Sequence, residues 1–164
     1  VMTDLFKLRL GRVALAASAI GLGLVLAGTQ ASAQTTPVYL FEYSAKVICG
    51  DLAAQADILA GGRYFTLVNI HNPGLTASLR RKVAATAAGS PGHISGFERS
   101  QLRNDEAMHI DCPLIHKQAD TDWVEGFLVI QSTLELDVVS VYTVADKGIA
   151  RTFHTERVPA RRIK

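Results

Sequence analysis

His109 and Asp111 stand two positions apart, and His116 follows seven residues after His109, beyond Pro113. Imidazole and carboxylate donors suit Zn²⁺ or another first-row metal, which needs three or four converging ligands. On an extended strand His109 and Asp111 share a face, which an ordinary solvated strand would also produce. No H-E-x-x-H or C-x-x-C spacing accompanies them, so the expected sites include no metal, with these three as weak candidates. His71 and Asn72 precede Pro73-Gly74 and mark a binding loop, or side chains that satisfy backbone groups in a turn. His, Asp and Ser are present, but no G-x-S-x-G elbow sets up a nucleophile, so no catalytic residue and no cofactor are expected. Asp120 and Asp122 share a loop without any sign of the cleft that paired-carboxylate chemistry requires.

Arg80-Arg81-Lys82 and the group Arg157, Arg161, Arg162, Lys164 are the basic clusters. They read as solvated edge-strand and tail charge that blocks edge-to-edge pairing, or as a patch for an anionic envelope surface. Nucleic acid is not an expected partner, because the chain carries an export signal. Lys7, Arg9 and Arg12 precede an uncharged run from Val13 to Gly28, and Thr29-Gln30-Ala31-Ser32-Ala33 ends in an A-x-A pattern before Gln34. That order is the grammar of a secretory signal peptide, cleaved between Ala33 and Gln34; the alternative is an uncleaved anchor. Val1 before Met2 reads as an alternative start codon, which points to a bacterial gene. The expected organisation is therefore a signal segment, residues 1–33, and one domain, residues 34–164.

The 164 residues carry 17 Lys+Arg and 15 Asp+Glu, a formal charge of +2. Removing residues 1–33 takes away three cations and Asp4, so residues 34–164 hold 14 of each and are neutral. Hydrophobic content of 48% with 20% charged residues excludes a disordered chain, and the length fits one domain. Cys49 and Cys112 are the only cysteines. In an oxidising compartment they read as one disulfide, the alternative being two buried thiols. Closing a loop of about sixty residues would stabilise the fold by roughly 4 kcal/mol in the chain-entropy picture.

The elements that must position these residues alternate with period two. Tyr39, Phe41, Tyr43, Ala45, Val47 and Cys49 alternate with polar residues up to Cys49, and Arg63–His71 is rich in β-branched and aromatic residues. A strand over Leu75–Ala85 places Leu75, Ala77, Leu79, Val83 and Ala85 on one face; Arg81 interrupts it, which predicts an edge position or a bulge. Leu52–Ala60 predicts one or two helical turns, Ile94–Phe97 a short strand, Glu98–Asp105 a polar connection and Glu106–Cys112 another strand. Leu114–Asp122 is a loop or helical turn. Val124–Ser132 and Leu134–Ala145, separated by Thr133, predict a hairpin or one bent strand, and Ile149–Val158 is the last strand. Trp123 reads as a core anchor, with carbohydrate stacking the alternative, and the Tyr39-Phe41-Tyr43 stripe as core or, if exposed, a strand-exchange surface. The fold class expected is all-β: an antiparallel, immunoglobulin-like β-sandwich of about seven or eight strands after an N-terminal signal helix.

The segments F-T-L-V-N-I-H-N-P-G (65–74), D-E-A-M-H-I-D-C-P (105–113), V-E-G-F-L-V-I-Q-S-T-L-E-L-D-V-V-S-V-Y-T (124–143) and E-R-V-P-A-R-R-I (156–163) resemble a family of uncharacterised exported bacterial β-sandwich proteins, over residues 43–163. The strand order is more weakly similar to the β-sandwich of sensory-rhodopsin transducer proteins. The resemblance implies fold and oligomerisation, and brings no activity with it. The expected function is an exported, non-catalytic binding or assembly module, periplasmic or secreted. Its expected partner is a protein or a further copy in the cell envelope, with no membrane span after cleavage. The alternative is a metal-binding protein or metal-dependent enzyme using His109, Asp111 and His116.

Overall fold

Alternation in the sequence becomes alternation in burial. Along β1 (Phe41–Leu52), Tyr43, Ala45, Val47 and Cys49 are buried while Ser44, Lys46 and Ile48 are only half-buried, as a pleated strand with one face on a core demands. The structure, a computed structural model, describes residues 36–53 and 59–164. After β1 come β2 (Gly62–His71), β3 (Ala77–Ala85), β4 (Glu98–Leu102), β5 (Ala107–Ile110) and helix α1 (Cys112–Ala119). Then follow β6 (Val124–Ser132), β7 (Asp137–Asp146), β8 (Ile149–Arg157) and β9 (Arg161–Arg162). The strands form one antiparallel sheet in the order β4-β3-β6-β1-β2-β7-β8, with β5 added to β2 and β9 to β1.

The sheet closes on itself as an open sandwich because β1 serves both halves. Phe41–Cys49 pairs with β6, and Gly50–Leu52 then pairs with β2. Gly50 sits at this corner with φ +118°, and a Cβ there would lie 2.4 Å from the Asp122 carbonyl oxygen. Only glycine meets both conditions. Tyr43, Val47, Leu79, Val83, Leu128 and Ile130 of the first half pack into one core cluster with Val68, Ile70, Ile110 and Val138 of the second, and Ile115 of α1 joins them. Cys49 and Cys112 are bonded, with Cα atoms 5.5 Å apart across 63 residues, so the corner of β1 is tied to the start of α1.

Several expectations are corrected. Leu75 is 80% exposed and precedes the strand, whereas Arg81 points inward at 7% exposure. β3 is not an edge strand and has no bulge there: it lies between β4 and β6, and Arg81 is tolerated inside because Glu98, directly opposite on β4, pairs with its guanidinium. The connection expected over Glu98–Asp105 thus contains an edge strand, β4. Ile94 makes only an isolated bridge to Ala84. β6 and β7 do not form a hairpin; they belong to different halves. Residues 133–136 carry the chain across, and Leu136 is buried there with its N–H and C=O both bonded to the Tyr43 hydroxyl. Pro159 ends β8, yet Arg161–Arg162 resumes pairing as β9 beside Phe41–Glu42. The helical turns expected in Leu52–Ala60 fall largely outside the described residues, as does the segment around Ala33 and Gln34. Among the described residues no helix is long and apolar enough to cross a membrane.

Candidate functional site

Asn72 follows β2 at a loop tip and is fully buried. Its Nδ2 donates to the carbonyls of Leu75, Leu102 and Arg103 at 2.7–2.9 Å, and its Oδ1 accepts from the Gly74 N–H at 3.1 Å. Its backbone N–H and C=O bond Glu106 and Asp105. The side chain thus acts as a surrogate backbone joining its own turn to the 102–103 segment. Its neighbour His71 is half-exposed, with Nε2 3.1 Å from Asp105 Oδ1 and Nδ1 3.6 Å from Asp137 Oδ2. Asp137 also takes the Arg157 guanidinium at 3.2 Å. The two carboxylates can anchor both ring nitrogens, and among the described residues no hydroxyl or thiol bonds this imidazole. Asp105, Asp137 and Arg157 come from three separate segments, so nothing in the local sequence linked them to His71.

The three weak metal candidates are not gathered. Asp111 lies past the end of β5 and caps α1, its Oδ1 accepting from the Leu114 N–H at 3.1 Å. Pro113 occupies the first turn, where its missing N–H costs nothing. His109 is exposed on β5 opposite Asn69 and borders a depression with Met108 and His71. His116 lines a different one beside Gly50, Tyr64 and Asp122. Among the described residues no three His, Cys, Asp or Glu side chains converge as metal ligands. Asp120 closes α1 in the left-handed region (φ 55°), its N–H bonded to the His116 carbonyl.

The corner around the disulfide is polar backbone wrapped in aromatic rings. The Thr66 N–H approaches Cys112 Sγ at 3.2 Å, and Thr66 Oγ1 bonds both the N–H and C=O of Ile48 at 3.0 Å. Trp123, expected in the core, is only half-buried and meets Tyr64 edge-on at 5.9 Å. An open depression of about 300 Å³ is lined by Tyr64, Thr66, Tyr142, Val144, His154 and Glu156. Tyr142 stacks on His154 and donates to Glu156 Oε2 at 3.1 Å. Burial pushes the Tyr142 hydroxyl above its usual range, and the neighbouring Glu156 charge adds to the rise.

The tyrosine stripe divides among three environments. Tyr43 is core, Phe41 packs at the core margin under Arg162, and Tyr39 leaves the core to lie on Arg80 at 4.3 Å. Of the first basic cluster, Arg80 is held between two rings, Arg81 is buried and Lys82 lies over Phe97.

The crystal structure of Thermotoga maritima 1070 has a similar fold, with TM-score 0.50 at 11% identity, over 76% of this chain and 96% of that one. At that identity the likeness concerns the fold alone. No protein family model matches the sequence, and no curated protein matches it.

Proposed function

We propose that this chain is an exported, non-catalytic binding module of a bacterial cell envelope. In this reading the signal segment is cut between Ala33 and Gln34, and the remainder works in the periplasm or outside as an immunoglobulin-like sandwich. The Cys49–Cys112 bridge carries the proposal: it ties the corner of the sandwich to α1, and such bonds persist in oxidising compartments. Both cysteines are spent on it, which leaves no thiol for chemistry. The resemblance to exported bacterial proteins points the same way. Binding rather than catalysis is supported by what the candidate side chains do: Asn72 holds backbone, Asp111 caps a helix and His71 contacts only carboxylates. For a protein partner or a second copy, β8 offers a sheet edge with Ile149 and Phe153 exposed.

Expression of the full chain in a Gram-negative host, followed by fractionation and N-terminal sequencing, tests this. The reading predicts protein in the periplasm or medium beginning at Gln34. Protein retained in the cytoplasm with its first residues intact would overturn it.

A further inference from the structure

The half-sheet of β4, β3, β6, β1 and β9 buries one face and turns the intervening residues outward. Register sets Arg99, Arg80, Gln131, Glu42 and Arg161 in one row across all five strands. Arg80 Nε donates to Gln131 Oε1 at 2.8 Å, Gln131 Nε2 to Glu42 Oε2 at 2.9 Å, and Arg161 to Glu42 Oε1 at 3.1 Å. The Arg80 guanidinium is clamped between the rings of Tyr39 and Phe97, 4.3 and 4.2 Å from their centroids, and Lys82 lies over the same Phe97. Among the described residues Arg80, Lys82 and Arg99 form no ion pair. Arg80 and Arg99 stand directly opposite each other. Like charges so placed destabilise a strand pair unless an anion covers them.

With Lys46 and Arg161 this face holds five cations against Glu42 and Glu125, in a domain whose residues 34–164 are neutral. Apolar side chains share the plane. Leu40 and Ile163 stand side by side at one end, 45% and 37% exposed, and Phe127 at the other is 41% exposed. Unpaired cations interleaved with exposed rings and aliphatic tips match the interface of an anionic bilayer, where phosphates meet the cations and the headgroup region takes the apolar groups.

We propose that this face docks on the headgroup surface of an anionic phospholipid bilayer. The proposal rests on the exported reading above, but its test does not. The protein from Gln34 onward, whose core and disulfide close within themselves, is sedimented with phosphatidylcholine vesicles and with vesicles that also contain phosphatidylglycerol. Partition is expected only with the anionic vesicles, and it should fall as salt rises. Lys82→Gln should weaken it about fivefold with an unchanged melting temperature. Phe127→Ser should also weaken it, while Arg63→Gln, on the outer face of the other half, should leave it unchanged. Equal partition to both vesicles, no partition to either, or equal loss in Lys82→Gln and Arg63→Gln would overturn the proposal. Capture by soluble polyglutamate without vesicle partition would also overturn it and make the partner an acidic macromolecule. Failure of export itself appears in the fractionation, not in the vesicles.

Discussion

Asn72 and His71 are neighbours with different work. Replacing Asn72 by Ala removes the donor shared by the Leu75, Leu102 and Arg103 carbonyls at a buried site. Urea unfolding should show a loss on the order of 2–4 kcal/mol. His71→Ala breaks only half-exposed contacts to Asp105 and Asp137 and should cost less than about 1 kcal/mol. The sequence Asn72-Pro73-Gly74 announced a turn, but not how many carbonyls converge on the amide, because two of them arrive from thirty residues away. Tyr43 provides a pH test. Burial raises its hydroxyl above the usual tyrosine range, against a lowering by its bond to Leu136. Below about pH 10 both folded and unfolded chains keep the proton, so the full contribution stands. Above it the unfolded chain ionises first, and stability falls as pH rises toward the folded-state value. Melting temperature should therefore decline on the alkaline side, and less steeply in Tyr43→Phe.

Among the elements, β3 and β4 show what period-two reading delivers and where it stops. The alternation of Ala77, Leu79 and Val83 is legible, and all three are buried. Arg81 in that row looked like a reason for an edge or a bulge, since the carboxylate that admits it to the interior belongs to Glu98, on a strand too polar to be recognised. The pair is asymmetric: Arg81 is nearly buried, while Glu98 remains half-exposed. Glu98→Ala should cost about 2 kcal/mol by stranding a buried guanidinium. Arg81→Met, which removes the buried charge and fills the space, should be neutral or stabilising by thermal melt. The β6–β7 link is hidden from the sequence for a similar reason. Thr133 alone separates two alternating runs, but Leu136 is drawn inward by Tyr43, and the chain crosses to the other half instead of turning back.

For the molecule as a whole, composition and strand patterning were enough for an antiparallel all-β sandwich, because each strand records its own buried face. The order of the strands was not legible, nor was the double duty of β1, since both depend on contacts between distant segments. Candidate chemistry faded for the same physical reason: His109, Asp111 and His116 are close in sequence, but a strand end and a helix cap turn them to different surroundings. The outer face of the β4-β3-β6-β1-β9 half was invisible in the sequence, where Arg80-Arg81-Lys82 is one run; in the fold Arg81 leaves it and Arg99 joins it. The Cys49–Cys112 bond holds the corner on which this arrangement depends. Reduction should lower the melting temperature, by an amount corresponding to roughly 4 kcal/mol in the chain-entropy picture. The most direct measurement is intact mass of the protein taken from its native host and alkylated before any reduction. The expected result is a chain beginning at Gln34 with no alkyl group added and both cysteines joined. A full-length chain carrying two alkyl groups would contradict it.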